Sequence, residues 1–105
     1  MEFLETSVFT KRITELISDI DYHLLQLELS ARPEAGDLIK GSGGIRKLRW
    51  SGSGRGKRGG IRVIYYYVTD AGQLYMLYAY PKNERDDLSS EQIKQLKAII
   101  KEYLL

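Results

Sequence analysis

Two apolar runs separated by four residues dominate what this chain can become. Ile61 to Val68 reads IRVIYYYV and Gln73 to Tyr80 reads QLYMLYAY, and nearly every residue in them is β-branched or aromatic or otherwise suited to a pleated surface. Asp70, Ala71 and Gly72 between them favour a tight turn, so the two runs are expected to pair as an antiparallel hairpin, with the first as a central strand. A chain with such a hairpin past its middle must be organised around a sheet. At 105 residues, 43% of them hydrophobic, it has material for one core and not two, which predicts a single domain over residues 1–105.

The flanking segments predict what surrounds that sheet. Phe3 and Leu4 suit an edge strand, and Thr6 or Ser7 can cap a short helix with Val8, Phe9, Ile13, Leu16 and Ile17 at helical spacing. A second helix is expected from about Asp21, with Tyr22, Leu25 and Leu29 in one stripe and Leu24 and Leu27 beside it. Pro33 disfavours helix at Arg32 and stops it there. The period then changes: Ile45 to Trp50 alternates as a strand entered through Gly41 to Gly44, with Lys47 and Arg49 on one side, about 7 Å apart. Ser89 with Gln92 three residues on makes a capping box, and Ile93, Leu96, Ile99, Ile100 and Tyr103 form the apolar face of a terminal helix. The order of strand, two helices, three strands and helix gives an α+β domain. Its antiparallel sheet of about four strands is expected to carry helices on one face and leave the other partly open.

Charge points to the partner. From Leu38 to Thr69 there is no Asp or Glu, yet this stretch holds Lys40, Arg46, Lys47, Arg49, Arg55, Lys57, Arg58 and Arg62, half of the 16 basic residues. Met1 to Gly36, by contrast, carries seven acids against Lys11, Arg12 and Arg32, so the net charge of +2 is the sum of unlike parts. Eight of the ten glycines share the basic stretch, where backbone N–H groups can approach phosphates closely. The natural ligand is a nucleic acid. Ser51 to Gly60, SGSGRGKRGG, has nothing apolar to bury and reads as a basic loop whose Arg55, Lys57 and Arg58 contact RNA backbone. It is not a P-loop, because the second glycine is not followed by Lys-Ser or Lys-Thr, and no dinucleotide fingerprint, CxxC pair or HExxH occurs. No metal site and no cofactor is expected. Glu2 and Glu5 stand where a signal peptide needs basic residues, no apolar run nears the roughly 20 residues of a membrane span, and cysteine is absent; these features predict a cytoplasmic protein.

Specific residues then carry a likeness. The strand Arg46-Lys47-Leu48-Arg49, the strand opening Gly60-Ile61-Arg62-Val63-Ile64-Tyr65-Tyr66, and Tyr80-Pro81-Lys82-Asn83-Glu84-Arg85-Asp86-Asp87-Leu88 leading into a Ser-capped helix together resemble the RelE/HigB toxins of bacterial type II toxin–antitoxin modules. The resemblance covers nearly the whole chain. It implies a small ribosome-dependent ribonuclease that cuts mRNA in the decoding site (the 30S A site, lined by rRNA). It also implies a cognate antitoxin that silences the enzyme and, in the toxin–antitoxin complex, contacts operator DNA. The antitoxin is expected to cover or displace part of the sheet and to meet the basic surface with acidic residues.

A metal-independent ribonuclease of this kind must activate a ribose 2′-OH, stabilise charge on the scissile phosphate and protonate the leaving 5′-oxygen. The chain has a single histidine, His23, in a predicted helix remote from the basic strands, which reads as a surface or packing residue. Lysine and arginine must then serve. By position in the motif, Lys47 matches a family lysine in the role of base, Arg49 a second strand cation, and Arg62 an arginine that steadies the phosphate, which guanidinium can hold at two oxygens. Where better-known members have an arginine after the third strand, this chain has Asn83, which cannot act as an acid but can contact RNA. Lys82 can replace it as acid, or Glu84 can act as base with a lysine as acid; both assignments stay open. A surface ion pair or turn hydrogen bonds are the structural alternative for Lys82 and Glu84. Most of the tyrosines suit the core, whereas Tyr80, beside Lys82, and Trp50, beside the basic loop, are placed to stack on a base.

Two other readings use the same residues. A non-catalytic RNA-binding module would employ the cations for backbone contact alone, and a ParE-like relative would poison DNA gyrase by protein contact. The cluster of Lys47, Arg49, Arg62 and Lys82 favours the endoribonuclease, since a gyrase inhibitor needs no transesterification site.

Overall fold

The structure, a computed structural model, describes residues 1–51, 60–84 and 87–104, with side chains through Glu102. The elements run β1 (Glu2–Glu5), α1 (Ser7–Leu16), α2 (Asp19–Ala31), β2 (Asp37–Leu38), β3 (Ile45–Trp50), β4 (Ile61–Val68), β5 (Gln73–Pro81) and α3 (Ser90–Leu104). The hairpin of β4 and β5 forms as its composition predicts, with Val68 opposite Gln73 at the turn and Ile61 opposite Pro81 at the far end. Gly72 supplies the left-handed backbone, φ +63°, that closes the turn.

The sheet differs from expectation in two respects. It has five strands in the order β1-β5-β4-β3-β2, and it is mixed, because β1 runs parallel to β5 with Glu2 opposite Gln73 and Glu5 opposite Met76. The added strand, β2, has two residues, pairing Asp37 with Lys47 and Leu38 with Arg46, too few for any periodicity in sequence. After β1 the chain enters α1, which packs against β5, the strand beside β1. Thr6 caps that helix, accepting from the Phe9 N–H at 3.0 Å, while its hydroxyl donates to the Leu77 carbonyl at 2.9 Å. Leu77 is the extra residue of a β-bulge, where the register between β4 and β5 shifts at Ile64 and Tyr65. The helix start and the kink in β5 are thereby tied together.

The second correction concerns the layers. Both faces of the sheet are covered by helices, one fully and one in part. On the first face Phe9 and Ile13 of α1 and Leu25 and Leu29 of α2 pack against Leu48, Val63, Tyr65, Leu74 and Met76. On the second, Leu96 and Ile100 of α3 pack against Ile45, Ile64, Leu77 and Tyr80. β4 explains why one layer does not suffice: residues 61, 63 and 65 are apolar on one side, and 64 and 66 are apolar on the other. Helix boundaries follow local chemistry. α2 starts two residues before the expected Asp21 because Ser18 caps it, and it ends before Arg32 as Pro33 requires. The capping box of α3 forms reciprocally, Ser89 Oγ accepting from the Gln92 N–H and Gln92 Oε1 from the Ser89 N–H. Among the described residues no helix is long and apolar enough to cross a membrane.

Candidate functional site

The second face changes character along its length, and strand register dictates where. Arg49 of β3 pairs with Arg62 of β4, and Arg62 pairs with Tyr80 of β5, so three neighbouring strands present Arg, Arg and Tyr in one transverse row. Lys47 lies two residues before Arg49 on the same face, opposite Ile64. Next to Ile64 and Ile45 the helix α3 covers the sheet; next to Arg62 and Arg49 cations take over.

The row descends from solvent into the sheet. Arg49 is exposed, Lys47 is half-buried, and Arg62 is 8% exposed, its guanidinium donating to the Ile61 carbonyl at 3.4 Å. Arg62, in the centre strand, is the most buried of the three, which suits a cation that must already be in place when charge develops on a bound phosphate. The entry to this strand is tightly built. Gly60 has φ +57°, and a Cβ there would lie 2.3 Å from the Trp50 carbonyl oxygen, so only glycine lets the chain turn past the end of β3 into β4. The Gly60 carbonyl in turn accepts from the Lys82 N–H at 3.2 Å, fixing the start of the turn after β5 beside the row.

One group beside the row was not singled out from the sequence. Asp87, between β5 and α3, places its carboxylate 2.5 Å from the Lys47 ammonium. That hydrogen bond, with the Lys47 charge and the charges of Arg49 and Arg62 beyond it, holds the Asp87 carboxyl below its ordinary range. The partners are 40 residues apart, so only the fold brings them together.

The other sequence candidates separate into those near the row and those committed elsewhere. Lys82 and Asn83 are exposed in the turn that follows β5. Glu84, in the same turn, is engaged: its carboxylate takes a 2.8 Å ion pair from Arg12 of α1, whose Nε also donates to the Ala79 carbonyl at 3.1 Å. Arg46 points to the opposite side of β3 from Lys47. It donates to the Gly36 carbonyl at 2.7 Å and the Glu34 carbonyl at 3.2 Å, so it braces the connection from α2 to β2 and leaves the RNA track predicted for it. Tyr65 braces the same connection from below, donating to the Pro33 carbonyl at 2.7 Å and accepting from the Gly36 N–H at 2.9 Å.

Of the two aromatic expectations, the one for Tyr80 is corrected. Tyr80 is 0% exposed because α3 lies over it, so its ring is a core group and not a stacking platform. Trp50 packs its ring against the first-face core, with no hydrogen-bond partner for its Nε1 among the described residues. Tyr78 is more accessible than Tyr80, its ring 5.8 Å away and under the Arg12 guanidinium at 5.5 Å. His23 is exposed on α2, as a surface histidine should be. Arg55, Lys57 and Arg58 lie outside the described residues, as do Arg85 and Asp86 of the motif and the side chain of Tyr103.

Comparison with known proteins agrees with this architecture. A family model described as "RelE toxin of RelE / RelB toxin-antitoxin system" matches residues 7–105. The fold is similar to that of a mutant of the E. coli toxin RelE in the free state, with 14% identity, a TM-score of 0.61, and coverage of 98% of this chain and 97% of that one. It is similar also to the isolated E. coli RelE toxin in a crystal, with 16% identity, a TM-score of 0.57, and coverage of 93% and 97%. At these identities the likeness is one of fold.

Proposed function

The chain belongs to the RelE toxin family, toxins of toxin–antitoxin systems, and from that premise we propose that it is a ribosome-dependent endoribonuclease that cuts mRNA at the cationic row. The observation that carries the reading is the register that sets Arg49 beside Arg62, with Lys47 on the same face. The three cations lie on one face of two adjoining strands, which is the arrangement this reading needs for contacts to a phosphate. In the reaction, a 2′-oxygen attacks the adjacent phosphorus as its proton leaves, the bond from phosphorus to the 5′-oxygen breaks, and that oxygen takes a proton. The products are a 2′,3′-cyclic phosphate and a 5′-hydroxyl. Arg62 and Arg49 bear the charge that grows on the phosphate oxygens.

Proton transfer falls to the groups around them. An ammonium paired with the Asp87 carboxylate carries no lone pair, so service of Lys47 as base requires that it first give up a proton. Lys82, exposed at the end of β5, is the candidate acid for the leaving oxygen. Glu84, held by Arg12, is better placed to fix the turn that carries Lys82 than to abstract a proton. The partners of this reading are the ribosome, the mRNA in its decoding site and a cognate antitoxin that masks the row; operator DNA is reached through the antitoxin. The cytoplasm is the compartment where these meet.

The test is primer extension on a reporter mRNA in a reconstituted translation system, with and without ribosomes, followed by analysis of the new 3′ ends. Cuts confined to ribosome-containing reactions and ending in cyclic phosphate are expected. Cuts without ribosomes would remove the ribosome from the mechanism, and intact mRNA at concentrations that arrest growth would remove the nuclease.

A further inference from the structure

The Lys47–Asp87 pair is asymmetric in a way that a simple structural ion pair is not. The lysine side chain is 15% exposed and fixed on a strand, whereas the aspartate side chain is 77% exposed on the connection to α3. The acid has come to the cation's place. It meets a cluster of three cations with one negative charge, and its charge is felt by Arg49 and Arg62 as well as by Lys47. Of the ion pairs among the described residues, the other three join Arg12 to Glu84, Arg32 to Glu28 and Arg46 to Glu34, none of them in the row. A carboxylate and a phosphate diester offer the same thing to such a cluster: one negative charge spread over two oxygens. An exposed partner is also one that water and ions can replace at small cost.

We propose that Asp87 is a built-in counter-anion, seated where an RNA phosphate must sit, and that RNA binds the free chain only by displacing it. The inference rests on the reading of the row as an RNA site and concerns how that site is regulated. Asp87 offsets one of the row's three positive charges until a polyanion with several phosphates outcompetes a single carboxylate. The displaced carboxylate leaves Lys47 open to the substrate in the same step.

The test is equilibrium binding of a fluorescent 2′-O-methyl RNA oligonucleotide, which lacks the attacking hydroxyl, to the wild-type chain, Asp87→Asn and Asp70→Asn across a salt series. Asp70, exposed in the β4–β5 turn, provides the same change in net charge away from the row. Asp87→Asn is expected to bind about two- to fivefold tighter near physiological salt. Its plot of log affinity against log salt is expected to steepen by about 0.7, one more cation being available to release a counterion. Asp70→Asn should do neither. Equal or weaker binding by Asp87→Asn, an equal gain in Asp70→Asn, or no binding by any of the three would overturn the proposal. Cleavage is not part of the readout: tighter binding by Asp87→Asn in a chain that never cuts mRNA would sink the nuclease alone, and ribosome-dependent cutting without tighter binding would sink the counter-anion alone.

Discussion

The two faces of the sheet are made from the same strands and do different work. Under α1 and α2, residues 61, 63 and 65 of β4 continue into an apolar layer with Phe9, Leu25 and Leu29, all three of them fully buried. One residue out of phase, on the face under α3, Ile64 and Tyr66 are followed toward the strand's start by Arg62, and the neighbouring strand supplies Lys47 and Arg49. A one-residue offset thus decides whether a side chain joins the apolar layer or the proposed site. The first face is closed by two helices, whereas on the second α3 packs over Ile45, Ile64, Leu77 and Tyr80, and Lys47, Arg49 and Arg62 stand on the same face beside them.

If that division is correct, substitutions on the two faces should separate stability from cleavage. Phe9→Ala, which opens a cavity beneath two helices, should cost about 3–5 kcal/mol in urea unfolding, with cleavage per folded molecule unchanged. Arg49→Ala should do the opposite. Because Arg49 is exposed, the thermal midpoint should hold while cleavage in the translation system falls by about 10- to 100-fold, the worth of one charged contact to a phosphate. A smaller effect probes the edge of the first face. Tyr65→Phe leaves the Pro33 carbonyl and the Gly36 N–H without their partner, and should cost about 1–3 kcal/mol. Burial first, and nearby carboxylates after it, raise the Tyr65 pKa, so the folded chain keeps a proton that the unfolded chain releases above pH about 10. Its stabilising share is complete below that pH and is lost as pH rises through the raised value, and Tyr65→Phe should flatten that alkaline loss in pH-dependent unfolding.

The smallest effect is expected from Glu84→Gln. As the exposed partner of Arg12 it should change stability by about 0–1 kcal/mol and cleavage by less than about threefold. A loss of about 100-fold or more would instead make Glu84 the general base.

How much of this was legible in the sequence depended on the range over which each feature is encoded. The hairpin, the Pro33 stop and the Ser89–Gln92 box are local, and composition and spacing were sufficient for them. The row of Arg49 and Arg62 was half legible: alternation gave the side of β3 on which Lys47 and Arg49 lie, but register alone sets Arg62 opposite Arg49. What was missed is long-range. The parallel β1–β5 pairing joins the chain's start to its last strand. Burial of Tyr80 depends on α3 crossing it, and the commitments of Asp87 to Lys47 and of Glu84 to Arg12 span 40 and 72 residues. A motif can nominate Lys47, Arg62, Lys82 and Glu84 together; it does not say which of them another side chain already holds.

Arg62 is the residue on which both halves of the comparison meet, since it is buried like a core residue and charged like a site residue. The most direct test is therefore Arg62→Ala, assayed for ribosome-dependent mRNA cleavage alongside urea unfolding of the same preparation. Cleavage reduced by about 100-fold or more in a protein that remains folded is the predicted result. Cleavage near the wild-type rate in a folded Arg62→Ala protein would contradict the placement of the site on this face.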